Sequence, residues 1–256
     1  MKKYEAYLID LDGTMYRGSE RIEDAVHFIE ALNKKKIPHL FVTNNSSRRP
    51  EQIAEKLNGM DIPAENKQVY TSSMAAAQYI SEEQPEATVY AIGEEGLFYE
   101  LDQAGLKLTE KKADYVVIGI DRDISYEKLT KACLNVRDGA RFLSTNADVA
   151  IPTERGMVPG NGAITSVITI STGIAPVFVG KPEAVIMEQA IKTLGYPKEK
   201  VLMVGDNYHT DILAGMDAGL DTLMVFTGVT SKEDLNGYDR KPTYTTATLL
   251  DWIKYI

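Results

Sequence analysis

Apolar positions along the chain fall into short unbroken runs that alternate with stretches of helical spacing. Residues 6–9, 40–42 and 69–70 are apolar throughout, which predicts short buried strands. Ile22, Val26, Ile29 and Leu32 recur on one helical face, so residues 22–32 read as an amphipathic helix. Pro50 suits the first turn of a helix that carries Ile53, Ala54 and Leu57. An alanine-rich helix over 73–80 starts at serines that can cap it. The same grammar returns later, with strands at 177–179, 201–204 and 222–225, helices at 183–194 and 212–216, and a closing helix at 249–256.

Strand, polar loop and helix in repetition predict an α/β fold, a doubly wound parallel-sheet (Rossmann-like) core. Such sheets bind ligands outside the carboxyl ends of their strands. The polar clusters of this chain follow predicted strands, so they are expected to converge on one crevice. The middle of the chain breaks the pattern. Glu82-Glu83-Gln84-Pro85-Glu86 reads as a linker, and Thr172-Gly173-Ile174-Ala175-Pro176 as a return hinge. Between them lie strands near 89–92, 115–118 and 142–143 and helices near 126–136 and 163–170. The organisation expected is a core domain over 1–81 and 177–256, with a smaller α/β domain, 82–176, inserted into it.

The net charge of −9 argues against nucleic acid as a partner, because such binders carry a basic stripe that releases counterions. The longest basic run, Lys34-Lys35-Lys36, suits the end of a helix. An anionic substrate in so acidic a chain needs local positive charge, from a metal ion or a few well-placed lysines and amides. The single cysteine, Cys133, excludes a disulfide framework and sits in a helical pattern as a small core residue. No signal-peptide pattern and no apolar run long enough to span a bilayer is seen, so the expected location is cytoplasmic, with no membrane partner.

Four clusters carry candidate chemistry. Asp10-Leu11-Asp12-Gly13-Thr14 directly follows a strand, and Gly13 permits a tight turn that lets both carboxylates face one site. With a magnesium ion to offset phosphoryl charge, Asp10 can act as a nucleophile and Asp12 as a general acid and base. An Asx-type turn is the plain alternative. An EF-hand loop is rejected, because its fifth and sixth positions here are Thr14 and Met15. Thr43-Asn44-Asn45 offers a hydroxyl and backbone N–H groups to phosphate oxygens. Lys181, in Gly180-Lys181-Pro182-Glu183, can bring a point charge to the crevice. In Gly205-Asp206-Asn207-Tyr208-His209-Thr210-Asp211, Asp206 can ligate the metal, and Asp211 can order its waters or cap a helix. His209 reads as a solvent-facing residue.

Together, in this order, Asp10-x-Asp12-Gly13-Thr14, Thr43-Asn44, Lys181 and Gly205-Asp206-x4-Asp211 resemble the four motifs of the haloacid dehalogenase superfamily. The insertion resembles its type-two cap. Phe41-Val42-Thr43-Asn44-Asn45-Ser46, Pro159-Gly160-Asn161-Gly162-Ala163 and Val179-Gly180-Lys181-Pro182 are similar to the NagD/p-nitrophenyl phosphatase subfamily. The resemblance covers nearly the whole chain. It implies a phosphatase with Asp10 as nucleophile and Asp12 as general acid/base. Mg2+ would be held by the Asp10 side chain, the Asp12 carbonyl and the Asp206 side chain, with Asp211 in support through water. Thr43, Asn44 and Asn45 would bind phosphate, and Lys181 would neutralise it. The partner would be a small phosphorylated metabolite, selected by the cap near Asp121-Arg122-Asp123-Ile124-Ser125. Relatives often pair through the cap, which admits a homodimer. Two further readings stay open: a phosphotransferase or mutase on the same scaffold, and a non-catalytic phosphometabolite-binding or phospho-relay module. The chain lacks a phosphate-binding Gly-x4-Gly-Lys-[Ser/Thr] loop, so a nucleotide-binding protein has no motif behind it.

Overall fold

All four residues of the Ala6–Ile9 strand are fully buried in the computed structural model, which describes residues 2–153 and 155–256. The strand lies inside a six-stranded sheet ordered Tyr244–Thr246, Asp221–Val225, Val201–Gly205, Ala6–Ile9, His39–Thr43 and Val69–Thr71. The pairings that join the first five of these are parallel. Helices covering both faces of such a sheet leave no solvent-facing side, which is why the strands read as continuous apolar runs rather than alternating ones.

Register then sets the site. Ile9 stands opposite Phe41 on one side and Val204 on the other. Asp10, the next residue along, donates its N–H to the Val204 carbonyl at 2.9 Å. The ends of neighbouring strands, and the polar residues that follow them, are thereby aligned. Two predicted helices flank this arrangement. Glu23–Lys34 buries Val26, Phe28, Ile29 and Leu32, and Pro50–Asn58 buries Ile53, Ala54 and Leu57. These residues join Tyr7, Ile9, Phe41, Val204 and Val225 in one apolar cluster.

The chain divides into two compact units. The first comprises residues up to Thr43, Pro50–Tyr70 and Lys181–Ile256. The second comprises Asn44–Arg49 and Thr71–Gly180, and holds a five-stranded parallel sheet ordered Val177–Phe178, Arg141–Ser144, Tyr115–Ile118, Thr88–Ile92 and Lys107–Leu108. Its helices include Glu95–Gln103, Tyr126–Arg137 and Asn161–Thr172. Cys133 is a free thiol, half-buried against the apolar cluster that includes Val116, Ile118 and Val136.

The structure departs from the sequence reading at several joints. Val177-Phe178 is a strand, but it pairs with Leu143 and Ser144 at the edge of the second sheet, and the first unit resumes only at Lys181. A two-residue apolar strand carries no mark of which sheet it joins. The Ser72–Glu83 helix runs into the expected linker, and residues 44–49 and 71–81 group with the second unit. The closing helix expected at the C-terminus is present, as a 3-10 helix over Leu250–Tyr255.

Candidate active site

The Asp10 loop is built by one carbonyl and one glycine. The Leu11 carbonyl accepts from the N–H groups of Thr14, Met15 and Tyr16, closing a tight turn. Gly13 sits at φ +92°, in the region that favours glycine. A Cβ on Gly13 would also stand 2.4 Å from Asp206 Oδ2, so the position is closed to any side chain twice over. The turn buries Asp10 at 7 % exposure and leaves Asp12 exposed.

Asp206 follows the Val201–Gly205 strand and is fully buried. Its Oδ1 accepts from Thr14 Oγ1 at 3.0 Å and its Oδ2 from the Val229 N–H at 2.7 Å. Residues Tyr208–Ile212 then form a π-helical turn, a rare geometry that recurs at functional sites. The turn carries Asp211, whose Oδ2 accepts from the Asn207 N–H at 3.0 Å. Gly205 makes room for it, since a Cβ there would lie 2.3 Å from Asp211 Cβ.

Lys181 is the buried cation of this cluster, at 3 % exposure. Its ammonium donates to Asp10 Oδ1, to Asp211 Oδ1 at 2.8 Å and to the Val42 carbonyl at 3.1 Å. Burial disfavours its charge, but the carboxylates of Asp10 and Asp211 outweigh burial and hold its pKa above the ordinary lysine value.

Asp10, Asp206 and Asp211 each offer a carboxylate oxygen within 4.8 Å of the others. Burial, reinforced by Asp211, holds the Asp10 carboxyl well above the usual carboxylate range, with Lys181 pulling the other way. Burial and then Asp211 push Asp206 up to about 6. Three buried acids against one ammonium leave the site short of positive charge. Hard oxygen donors in this number suit a divalent cation such as Mg2+, so the residues fit the metal.

The sign of the pH effect follows. An acid whose folded pKa is raised costs stability once ionised, and that cost is present above the folded value and absent below the unfolded one. A divalent cation removes the cost, and protons on Asp206 compete with it. Added Mg2+ is expected to raise the thermal unfolding midpoint at about pH 8 and to lose most of that effect by about pH 5. A midpoint increment that is flat across this range would contradict a carboxylate-held cation.

The structure gathers Asp10, Lys181, Asp206 and Asp211 into one cluster. The Asn44 and Asn45 side chains hydrogen-bond within their own unit. Asn44 Nδ2 donates to Asp148 Oδ2 at 3.4 Å, and the Asn44 carbonyl accepts from Ser72 Oγ and Asn146 Nδ2. Asn45 Oδ1 accepts from the N–H groups of Ser47 and Arg48, each at 3.0 Å, and so braces its own loop. Thr43 is half-buried at the end of its strand. His209 is exposed and pairs through Nε2 with the Tyr238 hydroxyl at 3.0 Å. Arg122 is engaged by both carboxylate oxygens of Glu94, at 2.9 and 2.7 Å. The reading of motifs missed the Thr227-Gly228-Val229 turn, which grips Asp206. Its signal was a glycine in a polar turn after the strand ending at Val225, the same placement as the other clusters.

Residues 7–107 match the family described as haloacid dehalogenase-like hydrolase, and residues 178–252 match a second model described as HAD-hydrolase-like. The chain is 56 % identical over 256 residues to the 5'-nucleotidase YutF of Bacillus subtilis (strain 168), covering 100 % of both chains. It belongs to the haloacid dehalogenase-like hydrolases. This hydrolase is also 53 % identical over 255 residues to an acid sugar phosphatase of Staphylococcus saprophyticus, covering 99 % of this chain and 98 % of that one. Among solved structures, the double mutant thermostable NPPase from Geobacillus stearothermophilus matches with a TM-score of 0.94 at 55 % identity, covering 100 % of both chains. These likenesses put this haloacid dehalogenase-like hydrolase in the NagD/p-nitrophenyl phosphatase subfamily. It is an enzyme, a phosphoric monoester hydrolase with the Rossmann-like core of its family.

Proposed function

We propose that the chain is a Mg2+-dependent phosphatase that hydrolyses small phosphate monoesters through an aspartyl-phosphate on Asp10. The observation that carries this reading is the burial of Asp10 against Lys181 and two further acids, Asp206 and Asp211. A carboxylate so placed is dry, aimed by an ammonium and short of positive charge, which is the setting an attack on a phosphoryl group requires. The Asp10 and Asp206 side chains and the Asp12 carbonyl would hold Mg2+, with Asp211 in support, and the ion supplies the positive charge that phosphoryl oxygens demand.

The chain's own groups then act in two steps. An Asp10 oxygen forms a bond to phosphorus as the bond to the ester oxygen breaks, and the leaving alkoxide takes the proton of Asp12. Asp12, now a carboxylate, takes a proton from water as the water oxygen bonds to phosphorus. The bond to Asp10 breaks, which frees phosphate and restores the nucleophile. Exposure of Asp12 suits this role, since it must exchange its proton with both leaving group and water. Lys181 holds Asp10 in place and offsets phosphate charge. Thr43, Asn44 and Asn45 take phosphate oxygens through hydroxyl and backbone N–H groups, and residues 82–176 act as the cap that selects the leaving group. We place the enzyme in the cytoplasm, in keeping with its single, free cysteine.

Relatives at 56 and 53 % identity are named for nucleotides and for acid sugars, so likeness selects the phosphate and not the leaving group. Phosphate release from p-nitrophenyl phosphate, a 5'-nucleotide and a sugar phosphate, with Mg2+ and with chelator, tests the reading. Release is expected only with the cation. Asp12→Asn should release about one p-nitrophenolate per enzyme quickly and then turn over slowly, because that leaving group needs no proton. The same variant should show no burst with the sugar phosphate. Chelator-resistant release, or a burst of equal size with both esters, would count against the mechanism.

A further inference from the structure

We propose that the turn Thr227-Gly228-Val229-Thr230 is a positioning element of the site, and that the Thr227 hydroxyl holds the Asp12–Gly13 backbone in register with Asp206 for the metal. The inference rests on the metal-dependent reading above. It goes beyond it by assigning a role to a segment outside the four motifs.

The turn grips the site at several points. Thr227 Oγ1 donates to the Gly13 carbonyl at 2.7 Å. The Val229 N–H donates to Asp206 Oδ2 at 2.7 Å, and the Thr230 N–H to the Asp206 carbonyl at 3.2 Å. Thr230 Oγ1 accepts from the Tyr208 N–H at 2.9 Å, at the start of the turn that carries Asp211. A Cβ on Gly228 would stand 1.9 Å from Asp206 Oδ2 and 2.8 Å from Gly13 Cα. The backbone therefore passes at a distance that no other residue permits.

Gly13 is where this matters. With φ at +92°, it belongs to the residue type with the widest choice of backbone states. Its N–H donates to the Tyr16 carbonyl at 2.7 Å. The Asp12 carbonyl lies in that same trans peptide plane and points the opposite way, so this bond fixes its direction. The Gly13 carbonyl, in the following plane, is held by Thr227. A glycine pinned on both sides cannot rotate, and the Asp12 carbonyl stays aimed. Asp206 is pinned in the same manner, with one donor on each carboxylate oxygen from Thr14 and Val229.

The test compares Thr227→Val, which keeps shape and loses the hydroxyl, with Thr227→Ser, which keeps the hydroxyl. Mn2+ binding to the full chain is measured by calorimetry, alongside kcat and KM for p-nitrophenyl phosphate at saturating Mg2+ and the thermal midpoint. Thr227→Val is expected to bind Mn2+ about tenfold more weakly and to lose about tenfold in kcat, with KM little changed. Thr227→Ser should keep wild-type affinity. Wild-type Mn2+ affinity in the valine variant would overturn the inference, and so would an equal loss in both variants. If Thr227→Val does not fold, the serine variant decides: a weakened affinity in it refutes the role, and wild-type affinity supports it. A wild type that binds no Mn2+ would bring down the metal reading, a failure distinct from a binding wild type with an indifferent Thr227.

Discussion

Asp10→Asn is expected to lower phosphate release by about 10^4-fold or more without lowering stability. The amide is nearly the shape of the carboxylate but has no anionic oxygen with which to attack phosphorus. Stability should hold because the charge on Asp10 is disfavoured by burial and by Asp211. Removing it relieves that repulsion, while Lys181 keeps Asp211 and the Val42 carbonyl as partners. The measurement is kcat at saturating Mg2+ together with the thermal midpoint. A variant as active as the wild type would show that Asp10 is not the nucleophile. An inactive variant with a much lower midpoint would show that the loss is one of folding.

Lys181→Met should act in the opposite sense on stability. Methionine fills similar volume but leaves Asp10, Asp206 and Asp211 as buried acids without their ammonium. Removing one member of a buried ion pair costs about 3–5 kcal/mol, because the remaining charge is neither solvated nor paired. Urea unfolding in chelator should show a loss of that order, and Mg2+ should restore part of it by supplying positive charge to the same oxygens. Activity should fall by about a hundredfold or more, through lost stabilisation of the transferring phosphoryl group. An unfolding free energy equal to that of the wild type in chelator would mean that the acids are protonated or solvated and the cluster is not electrostatically tense.

Both expectations concern residues that the sequence marks clearly, and the reason is physical. Asp10, Lys181 and Asp206 lie at or near the ends of short apolar runs, and in a parallel sheet those ends are where ligands bind. The Ala6–Ile9 and Val201–Gly205 strands are legible because they are buried throughout and carry no charged residue. Other features left no such trace. The π-turn at Tyr208–Ile212 depends on how Asp211 must fold back beneath Gly205, which no periodicity encodes. Val177-Phe178 is too short to say which sheet it completes. The hold of Val229 on Asp206 uses a backbone N–H, and a backbone N–H is the same in every residue but proline. Asn45 shows the converse case, a residue type suited to phosphate whose side-chain oxygen is spent on bracing its own loop.

The pairing of Ala6–Ile9 with Val201–Gly205 has a consequence for synthesis. Val201–Gly205, which flanks Ala6–Ile9 on one side, is made long after it, and Asp10 waits 171 residues for Lys181. Until then the nascent chain carries the Asp10 carboxyl without its counter-ion and an apolar strand with one edge open. A chain that has not yet reached Lys181 has the acid of this ion pair without its base, so the buried cluster can close only late in synthesis.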